Sequence, residues 1–92
     1  MIINNKKTIC VTGSNGGIGK SLVNSLNKIL FFNVIGIDKN ECDLTTNECE
    51  KYFKDADYIF HLACIKPSER GTTEEEYQKN IKMTENVAKF NK

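Results

Sequence analysis

Apolar residues fall along this 92-residue chain in two alternating rhythms. Three short stretches, "TICVT" (8–12), "NVIGID" (33–38) and "DYIFHLA" (57–63), are rich in β-branched and aromatic residues and read as strands. Elsewhere the apolar spacing changes to three and four. Ile18, Leu22, Val23, Leu26, Ile29 and Leu30 predict a helix from Gly17 to about Leu30 with one buried stripe. Thr45 with Glu48 makes a capping box for a short helix to about Lys54. Thr73 with Glu76 makes a second box, and Tyr77, Ile81, Thr84, Val87 and Ala88 mark one face of a longer helix to about Phe90. The acidic run 74–76 suits the positive end of that helix.

The predicted order is β-α-β-α-β-α, the pattern of a parallel sheet with right-handed crossovers. The second strand is apolar on both faces up to Asp38, as a parallel strand covered on both sides requires. Such sheets bind ligands at the carboxyl ends of their strands, where the strand order reverses. Gly13, Asp38 and Ala63 all fall at those ends. No repeat, low-complexity tract or linker divides the chain, so residues 1–92 read as one domain. The single proline, Pro67, lies in "IKPSERGTT", the most loop-like segment.

The loop "TGSNGGIGKS" (12–21) has two phosphate-binding readings. An ATPase P-loop needs G-x-x-x-x-G-K-[ST], whose backbone N–H groups wrap the phosphates in fixed register. Counting back from Gly19-Lys20-Ser21 lands on Ser14, so the loop from Gly13 is one residue too long. "VIGID" could still mimic a strand ending in a magnesium-binding Asp, which keeps that alternative open. The dinucleotide reading needs no adjustment. Gly13 allows the turn out of the strand, Gly16 lets a pyrophosphate approach the backbone, and Gly19 lets the helix pack on the sheet. Asp38 then ends the next strand, where a carboxylate can accept hydrogen bonds from ribose hydroxyls. A Gly-rich turn without a ligand is the blander third reading.

A net charge of +1, with Arg70 the only arginine, lacks the basic excess of a phosphate-neutralising nucleic-acid binder. Cys10, Cys42, Cys49 and Cys64 form no C-x-x-C pair and His61 is the only histidine, so no metal site is expected. Cys10 and Cys64 lie in or beside apolar runs and read as small core residues. Scattered, unpaired thiols fit a reducing cytoplasm. "MIINNKKTICV" lacks the apolar core of a signal peptide, and no apolar run approaches the ~18 residues that cross a membrane.

With these residues in view, "VTGSNGGIG" resembles the V-T-G-x-x-G-x-x-G opening of extended short-chain dehydrogenase/reductases, the NAD-dependent epimerase/dehydratase branch that acts on nucleotide sugars. The same letters fit the single-domain branch through Gly13, Gly17 and Gly19. That branch shows N-N-A-G at the third strand, whereas "DYIFHLA" resembles the extended members' H-L-A-A, with Cys64 in place of the last Ala. "DKNECDLTT" resembles the compressed segment of nucleotide-sugar 4-keto reductases, the group of dTDP-dehydrorhamnose reductase and GDP-fucose synthase. "EEYQKNIKMTENVAKF" is similar to the family's fourth-helix pattern, and the run 55–90 looks most like capsule-sugar reductases of the UDP-deoxyhexulose type.

The resemblance implies an α/β fold: a Rossmann-type doubly wound parallel sheet, truncated, in the order second–first–third. It implies a nicotinamide dinucleotide as cofactor and a nucleotide sugar as the intact enzyme's substrate. The contacts carried over are Gly13, Ser14, Asn15, Gly16, Gly17, Ile18 and Gly19 at the pyrophosphate, Asp38 and Lys39 at the ribose, Asp43 and Leu44 at the adenine, and Leu62, Ala63 and Cys64 after the third strand. Asp38 would repel a 2′-phosphate, which favours NAD, while Lys39 keeps NADP possible. The family's catalytic Y-x-x-x-K pair is absent: Tyr52, Tyr58 and Tyr77 are followed four places on by Ala56, Leu62 and Ile81. The expectation is therefore a cofactor-binding portion with no catalytic residue, inactive alone, or a stand-alone nucleotide-binding or regulatory module. Lys20 reads as a solvated helix residue and His61 as a hydrogen-bonded core residue. Asn80 reads either as the family's helix-steadying Asn or as a surface residue. A bare sheet edge would invite self-association.

Overall fold

The computed structural model describes residues 6–66 and 70–90, so Pro67 and the centre of its expected loop lie outside the described residues. Three strands, β1 (Lys7–Thr12), β2 (Phe32–Ile37) and β3 (Tyr58–His61), form one parallel sheet in the order β2-β1-β3. Lys7 pairs with Phe32 and Thr12 with Ile37, while Ile9 to Thr12 pair with Tyr58 to His61. This is the predicted α/β architecture and strand order. Its central strand is the most buried, with Ile9, Cys10, Val11 and Thr12 all inside. Successive side chains on a strand face opposite sides. Cys10 packs with Phe53, Ala56 and Met83, which puts Ile9 and Val11 on the other face. The Phe53 and Phe90 rings close one end of the core, with centroids 5.5 Å apart.

Three helical expectations are corrected. Helix α1 (Gly17–Asn27) stops short of Leu30 because its last turn tightens, with Lys28 N–H bonding Ser25 O at 3.3 Å and Ile29 N–H bonding Leu26 O at 3.0 Å. Ile29 and Leu30 are consequently exposed, Ile18 is exposed on the first turn, and only Leu22, Val23 and Leu26 of the expected stripe are half-buried. Helix α2 is the single turn Glu50–Phe53, and Thr45 does not cap it. The Thr45 N–H and hydroxyl both donate to Asp43 Oδ1, at 2.9 and 2.7 Å, while Asp43 N–H donates to Glu48 Oε2 at 3.2 Å. Asp43 thus takes the Thr45 N–H that a capping box gives to Glu48, and the Glu48 N–H donates to Thr46 Oγ1 at 3.2 Å, so the segment closes as an Asx-type turn instead of a helix start.

Helix α3 (Glu74–Ala88) does begin with the expected Thr73/Glu76 capping box. Its buried residues are Met83 and Asn86, with Asn80, Ile81 and Val87 half-buried, whereas Tyr77, Thr84 and Ala88 are exposed. Two asparagines on the inward face hide that face from an apolar count. Asn86 Nδ2 donates to the carbonyls of Leu44, at 2.8 Å, and Thr46, at 3.2 Å, fastening the segment after β2 to α3. Asn86→Ala would leave those carbonyls without their partner. The expected loss is about 2 kcal/mol, read as a lower urea midpoint with an unchanged slope.

The cysteines also differ from the expectation of unpaired thiols. Cys42 and Cys49 form a disulfide with a Cα–Cα distance of 5.7 Å, because the Asp43 turn folds the chain back between them. Cys10 is a free buried thiol, and burial pushes its pKa up to about 11. Cys64 is free but exposed rather than in the core. Among the described residues no helix is long and apolar enough to cross a membrane.

Candidate functional site

The site grows from the turn that follows β1. Gly13 has φ +71°, a conformation that L side chains rarely adopt. The N–H groups of Gly13 and Ser14 both bond the carbonyl of Ile37, at 2.9 and 3.3 Å, which clamps the turn to the end of β2. On its other side the turn abuts β3, where a Cβ on Gly13 would sit 2.9 Å from Ala63 N. A Cβ on Gly19 would collide with the carbonyl oxygen of Gly13, so α1 packs directly against the turn. The first turn of α1 carries no acidic residue and no side-chain cap, leaving the positive end of the helix to meet an anion from outside.

Asp38 follows β2 directly. Asn15 Nδ2 donates to its Oδ2 at 2.9 Å, and its own N–H donates to Glu41 Oε2 at 2.7 Å. The loop and the strand end are thereby joined through the side chain expected at the ribose. Beyond Asp38, the Asp43 carboxyl is held below its usual range by the hydroxyl and then the N–H of Thr45.

These ends surround a cleft of about 520 Å³, within the usual range for small-molecule sites. Of the residues anticipated at the site, Gly13, Gly16, Asp38, Lys39, Asp43, Leu44, Leu62, Ala63 and Cys64 line it together. The other five stand behind or beside it. Gly19 is buried under the turn, and Asn15 acts through Asp38. Ser14 packs on β2, where a Cβ on Gly36 would lie 2.9 Å from Ser14 Cβ. Gly17 and Ile18 are exposed at the start of α1, Ile18 at 77%. The sequence reading missed Cys42, Thr45, Ile65, Lys66, Lys79 and Met83, which also line the cleft. Lys79 and Met83 lie one turn apart on α3, a spacing that becomes informative only once α3 is known to flank the cleft. Asn80 is no surface residue: it accepts Ile65 N–H at 2.7 Å and donates to Ile65 O at 3.2 Å, fixing the backbone after β3.

A hydrogen-bond relay supports the floor. Thr12 Oγ1 accepts the N–H groups of Leu62 and Ala63, at 3.0 and 3.1 Å, which uses both of its lone pairs. Its proton therefore goes to His61 Nδ1 at 2.7 Å, so Nε2 carries the ring hydrogen and faces Thr84 Oγ1 at 3.3 Å. His61 is thus a hydrogen-bonded structural residue, as expected. An imidazolium would bring a second N–H toward a hydroxyl with no acceptor left. Burial likewise holds the His61 pKa below its ordinary value of 6.5. The unfolded chain then binds the proton more readily, so this stabilisation is complete above about pH 6.5 and declines as pH falls toward the depressed pKa. The urea midpoint is expected to fall between pH 7.5 and 5.5 in the wild-type chain, and to fall less in His61→Gln.

The sequence model of the NAD dependent epimerase/dehydratase family matches residues 9–91. Among solved structures, the chain is similar to a GDP-6-OMe-4-keto-L-xylo-heptose reductase from C. jejuni, with a TM-score of 0.77 and 24% identity over 95% of this chain and 26% of that one. It is also similar to a GDP-L-fucose synthetase from Naegleria fowleri, with a TM-score of 0.75 and 20% identity over 98% of this chain and 28% of that one. At these identities the likeness is one of fold. The chain spans about a quarter of the length of either enzyme. No curated protein matches it significantly.

Proposed function

The chain belongs to the NAD dependent epimerase/dehydratase family, and from that premise we propose that it is the cofactor-binding part of a nucleotide-sugar reductase or epimerase. The observation that carries this reading is the meeting of Gly13, Gly16, Asp38, Leu62, Ala63 and Cys64 in one cleft at the carboxyl ends of three parallel strands. The backbone of the first turn and the start of α1 suit a pyrophosphate. Asp38, steadied by Asn15, suits the adenosine ribose hydroxyls. Asp43 and Leu44 suit the adenine, and the 62–64 backbone suits the nicotinamide half. The Asp38 carboxylate, with the Glu41 carboxylate held at the Asp38 backbone N–H, disfavours a 2′-phosphate even with Lys39 next in the chain, so NAD is the preferred cofactor.

Bound there, the dinucleotide would supply hydride transfer to or from a sugar carbon. The 92 residues contain no Tyr followed by Lys four places on, so this chain binds cofactor without moving the substrate proton. A near-neutral charge fits a small anionic ligand better than nucleic acid, and the cytoplasm is the compartment that suits a dinucleotide-dependent enzyme. The edge strand β3 exposes Tyr58 (56%) and Phe60 (42%), a surface through which copies of the chain would associate. Calorimetric titration with NADH, NADPH and Mg-ATP tests the cofactor assignment. NADH binding more tightly than NADPH is the expected result, and saturable binding of Mg-ATP alone would overturn it.

A further inference from the structure

We propose that Cys42 and Cys49 form a reversible redox site that sets the dinucleotide affinity of the cleft, with low-molecular-weight thiols and their disulfides as its reaction partners. The proposal rests on the dinucleotide reading above.

The two cysteines bracket the segment that walls one side of the cleft. Cys42, Asp43, Leu44 and Thr45 all line it, and Asp43 and Leu44 are the residues assigned to the adenine. Both cysteines also pack in the core cluster with Phe53 and Met83. The disulfide therefore ties the cleft wall to the core. Reduction replaces a bond of about 2 Å with van der Waals contact between thiols, so the sulfurs must part by about 1.5 Å. Cys49 is 2% exposed and borders only a void of about 10 Å³, whereas Cys42 borders the cleft of about 520 Å³. Cys42, at the cleft edge and 6% exposed, is the side that moves, and it carries the neighbouring Asp43 with it. Asn86 still holds the carbonyls of Leu44 and Thr46, so the shift stays local.

The same geometry gives the route of attack. An external thiolate approaching through the cleft attacks Cys42 Sγ, the Cys42–Cys49 bond breaks, and Cys49 leaves as a thiolate that takes up a proton. A second external thiol then attacks the outer sulfur of the mixed disulfide and releases Cys42. In total, the disulfide and two thiols become two cysteines and one external disulfide, whose formation supplies the two electrons. An excess of the external disulfide drives the reverse. A dinucleotide in the cleft covers Cys42, so binding and redox state are linked in both directions: oxidation tightens binding, and bound cofactor opposes reduction. The two free cysteines differ in kind. Cys10 is buried with its pKa pushed up to about 11, and Cys64 is exposed without a disulfide partner.

The test uses the 92-residue chain, oxidised with glutathione disulfide or reduced with dithiothreitol, the Cys42–Cys49 link being verified by peptide mapping. NADH fluorescence titration is expected to show affinity about three- to thirtyfold weaker in the reduced form, below the roughly sixtyfold ceiling for closing so short a loop. Cys42→Ala/Cys49→Ala should match the reduced form and ignore redox state. NADH at about ten times its Kd should slow reduction roughly tenfold, since only free protein is attacked. Equal affinities together with equal reduction rates would overturn the redox site and leave the cofactor reading standing. Absence of NADH binding in both forms would overturn the two together. Loss of the far-UV helical signal on reduction would also overturn it, because the effect would then be unfolding of the domain.

Discussion

Gly13→Val is expected to cost about 2–6 kcal/mol of stability and to abolish NADH binding. Two terms add. A β-branched residue at φ +71° carries about 1–3 kcal/mol of backbone strain. Its Cβ would also lie 2.9 Å from Ala63 N and 3.0 Å from both Ala63 Cα and Leu62 C, all backbone atoms that cannot rotate away. Relieving that overlap costs about another 1–3 kcal/mol. A domain of this size holds only roughly 5–14 kcal/mol in all, so the variant would sit near the edge of folding. What still folds would have its turn displaced from β3, the strand end that completes the cleft. Gly17 is the contrast within the same loop, because a Cβ there meets nothing within 4 Å. Gly17→Ala should raise stability by about 0.5–1 kcal/mol. Urea unfolding of the two variants beside the wild type measures the difference.

Asp38→Ala is expected to weaken NADH binding roughly 10- to 100-fold and to erase the preference for NADH over NADPH. A hydrogen bond to a charged group contributes about 1.5–3 kcal/mol, which is that range in affinity. The carboxylate that rejects a 2′-phosphate disappears in the same substitution, so NADPH should lose less than NADH. Stability should change by less than about 0.5 kcal/mol, since the residue lies at a strand end beside solvent. Asn15→Ala should give a weaker copy of the effect, a few-fold loss, because Asn15 acts by steadying Asp38 Oδ2. Parallel titrations with NADH and NADPH read both predictions. An unchanged cofactor ratio in Asp38→Ala would remove Asp38 from the ribose.

The strand pattern and the glycine spacing were legible because each follows from backbone requirements. A buried parallel strand needs a continuous apolar run, and a turn at φ +71° against another strand needs glycine. Gly13, Gly16, Asp38 and Ala63 could be named in advance for that reason, whereas Lys39, Asp43, Leu44, Leu62 and Cys64 came from the family resemblance. What escaped depends on side chains meeting across long sequence separations. Asn86 faces inward only because the carbonyls of Leu44 and Thr46 need its amide, and Asn80 only because Ile65 does. An apolar count assigns both residues outward, which rotated the expected face of α3. The Thr45 capping box failed because both of its bonds went elsewhere, the Thr45 N–H to Asp43 Oδ1 and the Glu48 N–H to Thr46 Oγ1. The Cys42–Cys49 pairing depends on the turn which those bonds produce.

The most direct test of the account is amide chemical-shift mapping of the 15N-labelled chain with NADH. The account predicts saturable shifts at Gly13, Gly16 and Gly17, at Asp38, and from Leu62 to Cys64, while the far end of α1 stays unmoved. Saturable shifts that spare the first turn and Asp38, or no response to NADH at concentrations that shift these amides with Mg-ATP, would contradict it.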